Sequence, residues 1–224
     1  PIIESGIIGA AMGMALRGYK PIVEMQFADF VTCGFNQIVN NLAKTHYRWD
    51  EPINVTVRMP TGGGMGAGPF HSQNIESWFT HVPGLKVVYP SNPLDAKGLL
   101  ISSIDDPNPI LFFEHKALYR SLKDSVFEGL YSQEIGKGNI VKRGNDLTIV
   151  TYGIGVQWAL DAIDNINLDC VNYVLEHPEI KQLGVNEQTV RDVLKRVGFS
   201  ACPSNAVKVI RNNVNYICEN IRKI

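Results

Sequence analysis

The segment Thr61–Gln73, TGGGMGAGPFHSQ, carries five glycines and a single histidine, His71, in thirteen residues. That much glycine is too flexible for a helix interior, and the segment lacks the β-formers of a strand. It reads as a loop whose bare backbone brings amides close to a ligand, with Pro69 fixing the chain just ahead of Phe70 and His71. An imidazole displayed this way can take or give a proton near neutral pH; a surface histidine without such a task is the plainer alternative. Glu4 stands one residue ahead of an apolar, glycine-containing helix. There it is either an acid that complements the helix dipole or, buried against IIGAAMG, a carboxyl that desolvation turns into a usable proton donor. Gln26 and Phe30, read as one helical turn apart, would give a pocket one polar group and one stacking ring, with a core role for Phe30 as the alternative. Glu24 at a strand end and Asp29 at a helix start read as solvated or capping. A phosphate loop does not fit, since TGGGMGAG lacks the following Lys-Ser/Thr and is not a G-x-G-x-x-G with an acid about 20 residues on.

The elements that must position these groups alternate in period. Ser5–Arg17 is an apolar helix whose Gly6, Gly9 and Gly13 would admit another backbone and which Gly18 ends. KPIVEM is a short strand, and Phe27–Tyr47 places Phe27, Phe30, Val31, Phe35, Ile38 and Leu42 at helical spacing. INVTVRM is a β-branched strand feeding the glycine loop. A short helix at Ile75–Phe79, the strand LKVVYP, a helix from Pro93 to Ser103 capped by Asn92, and the strand PILFFE come next. The pattern predicts an α/β fold, a parallel sheet with helices on both faces, with its site beyond the carboxyl ends of the strands. Residues 1–117 form that domain and 118–139, without a sustained apolar period, an extended connector. The strand NDLTIVTYG and helix IGVQWALDAID make 140–164 the start of a second α/β domain; 165–224 read as short helices, an irregular C-terminal segment that the α/β pattern does not account for.

Composition excludes several classes. With 224 residues, 45% of them hydrophobic, the chain can bury a real core. A formal charge of −1 and no block of Lys or Arg give no footprint for nucleic acid or an anionic membrane. No apolar run reaches the ~18 residues of a membrane span. Cys33, Cys170, Cys202 and Cys218 are too widely spaced for a zinc motif or a disulfide framework, so a reducing cytoplasm is expected, or a mitochondrial matrix in a eukaryote. The chain opens on Pro at full helical amplitude, which reads as a trimmed N-terminus.

The segments PIIESGIIGAAMGMALRGYKPIVEMQFADF, FNQIVNNLAKTHYR, VTVRMPTGGGMGAGPFHSQ, HVPGLKVVYPSNPLDAKGLL and IDDPNPILFFEHKALYR together resemble the β subunit of thiamine-diphosphate-dependent 2-oxo acid dehydrogenases. EMQFADF is closer to the branched-chain (2-oxoisovalerate) type than to the pyruvate type, and the likeness runs to about Asp164. It implies a transketolase-like pyrimidine-binding domain followed by a second α/β domain. Glu4 falls on the family's glutamate that hydrogen-bonds the cofactor's pyrimidine nitrogen and promotes deprotonation of the thiazolium carbon. Phe30 falls where an aromatic packs on the pyrimidine and Gln26 where a polar group faces the site. His71 matches the histidine that handles protons during acyl transfer to lipoyl-lysine. SSIDDPNP matches a loop that binds potassium through backbone carbonyls, implying Val55, Ser103, Ile104, Asp106 and Asn108 as ligands, with an ordinary turn as the alternative.

The departures carry equal weight. There is no G-D-G with a later Asn, the arrangement that holds magnesium and the diphosphate, so the resemblance implies that an α subunit supplies that half within an α2β2 assembly serving a lipoyl-bearing acyltransferase. The isolated chain is expected to be inactive. VLKRVGFSACPSNAVKVIRNNVNYICEN, Val193–Asn220, resembles the end of haloacid-dehalogenase-type phosphatases but lacks their D-x-D pair, Asp192 standing alone, so it reads as a fusion, frame-shift or assembly artefact without phosphatase activity, with a plain helical extension as the alternative. A noncatalytic α/β interaction fragment and a transketolase-type synthase subunit are the alternative functions.

Overall fold

Successive residues of a strand face opposite sides of its sheet, and in β4 (Ile110–His115) both sides are apolar: Leu111 and Phe113 enter one core, Ile110 and Phe112 another. A strand of that kind needs helices on both faces. The computed structural model describes residues 2–144, 147–176 and 178–196. Four parallel strands lie in the order β1-β2-β4-β3, with β1 at Ile22–Glu24, β2 at Thr56–Thr61 and β3 at Lys86–Val88. Helix α1 (Glu4–Ala15) and the helical run from Ala28 onward contribute Ile8, Ala11, Val31, Ile38 and Leu42 to the core that also holds Val57, Met59, Leu111 and Phe113. On the other face Leu99 and Leu100 of α3 (Pro93–Asp105) cover Val88, Ile110 and Phe112. Asn92 caps α3 as expected, its Oδ1 accepting from the Asp95 N–H at 2.8 Å.

The chain leaves α1 through Gly18, which has φ of 86°, its N–H on the Ala15 carbonyl and the Tyr19 N–H on that of Met14. The helix is less enclosed than its composition implies. Ile8, Ala11 and Ala15 are buried, but Gly9 and Gly13 look onto open space, so neither receives a second backbone within the described residues. The run expected as one helix over 27–47 winds three ways: a 3-10 helix at Ala28–Gly34, a π-helical stretch at Gln37–Leu42 and α2 at Ala43–Trp49. Helical spacing of apolar residues fixes which face is buried and leaves the pitch open.

After the short α4 (Leu118–Ser121) the connector lies along α3. Tyr131 donates to the Leu94 carbonyl at 2.7 Å, and the Gln133 N–H donates to that of Gly98 at 3.2 Å.

Among the described residues two compact units emerge, one from residues up to 139 with 152–155, the other from 140–151 and 156–196. The second holds most of α5 (Ile154–Glu176) together with α6 (Pro178–Leu183) and α7 (Glu187–Arg196), which bury Val171, Val174, Ile180, Val190 and Val193. One expectation changes here. Residues 147–152 pair with no strand among the described residues, and Asn145 and Asp146 lie outside them. Helix α5 spans residues 164 and 165, and the described elements after it are both helices. Of the phosphatase-like segment, everything beyond Arg196 lies outside the described residues. Among those residues no helix is long and apolar enough to cross a membrane.

Candidate functional site

In a parallel sheet the loops that gather a ligand leave the carboxyl ends of the strands. Three adjacent strands deliver candidate groups there: Gln26 lies just past β1, the glycine loop just past β2, and Lys116 just past β4. The glycine loop is closed at its base, where the Gln73 carbonyl accepts from the Gly62 N–H at 3.0 Å and from Thr61 Oγ1 at 2.8 Å. Between these points Gly62, Gly64, Gly66 and Gly68 all have φ between 69° and 88°, the left-handed region that a side chain disfavours. The glycines therefore shape the loop as the sequence implies.

His71 ends a short 3-10 turn, Pro69–His71, and is half-buried. Its ring meets Phe27 at 5.1 Å between centroids and Phe30 at 5.5 Å, both edge to face, within the favourable range for aromatic pairs. The Lys116 ammonium donates to the His71 carbonyl and sits 4.5 Å from the centroid of the Phe27 ring. Burial lowers the Lys116 pKa and the field of Asp29 opposes that shift.

Glu4 opens α1 behind an extended Ile3 that makes no side-chain cap. It is half-buried at a cleft of about 290 Å³ that it lines with Ile2, Ile7, Glu24, Met25 and Gln26. Across that cleft Glu24 is paired with Arg58, Nη1 to Oε2 at 2.7 Å, whereas Glu4 has no ion pair among the described residues. Gly34 ties this cleft to the aromatic cluster: a Cβ there would stand 3.3 Å from the Glu4 carbonyl oxygen, so the 3-10 helix bearing Phe30 rests on the first turn of α1.

The structure thus brings the predicted residues together in two pairs, Glu4 with Gln26 and Phe30 with His71. Gln26 and Phe30 do not share a helical turn, because the helix starts only at Ala28. Asp29 is not solvated. It is 5% exposed, and its Oδ1 accepts from the Gln73 N–H at 3.1 Å. Phe27, Asp29 and Lys116 contact the His71 loop without a sequence signal that marks them as site residues, beyond the place of Lys116 one residue past an apolar strand in FFEHK.

The five residues implied for potassium gather where β2 begins and α3 ends. The Val55 carbonyl accepts from the Ile110 N–H at 2.9 Å, that of Asp106 from Asn54 Nδ2 at 2.7 Å, and Ser103 Oγ donates to the Leu99 carbonyl at 2.7 Å. Asp106 pairs with Lys86 at 2.5 Å and accepts twice from Asn108, whose Oδ1 lies 2.9 Å from His46 Nδ1. Burial alone would raise the Asp106 carboxyl; these hydrogen bonds outweigh it and hold the pKa below its ordinary value. The side chains are matched among themselves, so an ion here would depend on the carbonyls of the last turn of α3, where Pro107, four on from Ser103, has no N–H to offer. No cluster of three or more His, Cys, Asp or Glu suited to a metal occurs among the described residues.

This geometry has relatives. The family model "Transketolase, pyrimidine binding domain" matches residues 1–121. The chain belongs to that family. Over 176 residues it is 45% identical to the 2-oxoisovalerate dehydrogenase subunit beta of Bacillus subtilis, covering 77% of this chain and 53% of that one. Over 171 residues it is 44% identical to a pyruvate dehydrogenase E1 component subunit beta of Staphylococcus epidermidis, covering 75% and 53%. The chain therefore spans about half the length of these relatives. A solved structure described as a split gene transketolase, inactive beta4 tetramer, superposes with a TM-score of 0.60 at 26% identity, over 75% of this chain and 52% of that one.

Proposed function

We propose that this chain is the pyrimidine-binding half of a thiamine-diphosphate-dependent 2-oxo acid dehydrogenase β subunit, acting on a branched-chain 2-oxo acid, with pyruvate the alternative. The observation that carries the reading is the Glu4 carboxyl, without an ion pair among the described residues, sharing a cleft with Gln26 at the carboxyl end of β1 while the helix bearing Phe30 rests on the Glu4 backbone. A ring nitrogen that must be held by a hydrogen bond and covered by an aromatic face needs those side chains, so the residues fit the pyrimidine of thiamine diphosphate. When bound, that group supplies the carbon nucleophile for attack on a 2-oxo carbon.

The chain's own residues hold, cover and move protons. The Glu4 carboxyl would hold the ring nitrogen of the heterocycle by a hydrogen bond. Phe30 would cover the ring, and Gln26 offers the cleft a neutral amide. His71, steadied between Phe27 and Phe30, presents its imidazole as the proton-handling group of the site. An α subunit would hold magnesium and the diphosphate, completing an α2β2 assembly that passes acyl groups to a lipoyl-bearing partner. The bacterial β-subunit relatives support this arrangement. Potassium at the end of α3 belongs to the same proposal, as does the division into a domain at 1–117, a connector at 118–139, a second start at 140–164 and a tail.

The likeness to a split transketolase favours a second reading, a synthase acting on sugar phosphates. Reconstitution with the α subunit of a bacterial 2-oxo acid dehydrogenase, assayed with 2-oxoisovalerate, pyruvate and a ketose phosphate, separates them. Turnover of a 2-oxo acid is expected. Turnover of the ketose phosphate alone would favour the synthase, and assembly without turnover of any of the three would reduce the chain to an interaction fragment.

A further inference from the structure

We propose that Lys116 and Asp29 are positioning residues for His71, fixing the main chain on both sides of that imidazole from two different elements. Lys116, just past β4, donates to the His71 carbonyl; Asp29, in the first turn of the 3-10 helix, accepts the N–H of Gln73, two residues on, at 3.1 Å. Both charged side chains are 5% exposed, a placement that charged residues rarely adopt without a partner. Here the partner of each is loop backbone. Asp29 Oδ2 is buried with no donor among the described residues, so its charge is balanced by the nearby ammonium through the field and not by a direct bond.

The ammonium also faces the Phe27 ring, and Phe27 in turn meets the His71 ring, so a single cation governs both the carbonyl and one wall of the imidazole. Thr61 and Gly62 fix the Gln73 carbonyl, and Asp29 fixes its N–H. The span from Gly63 to Ser72 is thereby held at its closing end, and His71 within it.

The consequence for turnover rests on the catalytic reading of His71, and the test separates the two. In the full chain, amide hydrogen exchange at Gly62 and Gln73 and the ring-current-shifted resonances of His71 are recorded for the parent, Lys116→Met, Lys116→Arg and Asp29→Asn. Lys116→Met should raise exchange at Gln73 about tenfold or more, the scale of one lost charge-assisted hydrogen bond, and Asp29→Asn, whose amide oxygen can still accept, should raise it by a smaller factor through loss of the charge. In Lys116→Met the His71 resonances should also move toward unstructured values, with the β2–β4 ladder amides unchanged, and Lys116→Arg should restore most of the parental pattern. Parental exchange at Gln73 in a folded Lys116→Met, or in Asp29→Asn where Lys116→Met does not fold, would overturn the inference. Asp29→Asn preserves side-chain shape, so it answers the question even where Lys116→Met fails to fold. In the reconstituted heteromer, a loosened loop with undiminished turnover would uphold the positioning role while removing the catalytic one from His71.

Discussion

Gly62 lies against the imidazole of His115 so closely that a Cβ at residue 62 would stand 2.1 Å from Nε2, while its φ of 88° independently disfavours a side chain. The first residue of the glycine loop and the last residue of β4 therefore share one space, and the loop's entry is set by that contact.

Substituting Gly62→Ala should therefore be costly twice over, through the left-handed backbone, about 1–2 kcal/mol, and through displacement of a buried ring. Urea unfolding should show a lower midpoint with an unchanged slope. Gly66→Ala is the control, since it has a similar φ of 69° but nothing within 4 Å, and it should lose the backbone term alone.

His115 also makes stability depend on pH. Burial lowers its pKa, Lys116 adds to the lowering and Glu76 opposes it. The folded state thus binds this proton less readily than the unfolded chain, whose histidine titrates near 6.5. The contribution is fully present above about pH 6.5 and is lost as pH falls from there toward the folded pKa. Thermal unfolding between pH 7.5 and 5.5 should show that decline, and His115→Gln should flatten it.

Arg58 joins three strands. From β2 it reaches Glu24 on β1 and Glu114 on β4, at 2.7 Å in each case. Burial opposes its charge, but Glu114 and Glu24 together hold its pKa above the ordinary value. Arg58→Met leaves Glu114, whose side chain is 12% exposed, without its cation, a loss of about 1.5–3 kcal/mol on the scale of hydrogen bonds to charged groups. The double variant Arg58→Met, Glu114→Gln should recover part of that loss. Chemical denaturation of the three proteins measures the recovery.

The strands and the loop were legible because their signals are local. The β-branched run INVTVRM, the Asn92 cap and the glycines of 62–68 each dictate backbone conformation within a few residues, and each appears in the fold as the chemistry requires. What stayed hidden depends on distant partners. Asp29 reads as a helix-start acid until Gln73, 44 residues on, supplies the N–H that buries it. LTIVTY has the composition of a strand, yet residues 147–152 find no neighbouring strand among the described residues, and a strand needs one. Of the site, Glu4 and Gln26 in one cleft and Phe30 with His71 in one aromatic cluster were readable as types, whereas Phe27 and Lys116, which hold His71, were not.

Exchanging the Glu4 carboxyl for an amide addresses the central claim most directly, because it preserves shape and removes the exchangeable acid proton. The chain is assembled with an α subunit, thiamine diphosphate and magnesium, and decarboxylation of 2-oxoisovalerate is compared between the parent and Glu4→Gln. The account predicts intact assembly with turnover reduced by about 10²–10⁴-fold. Parental turnover from the amide variant would contradict it.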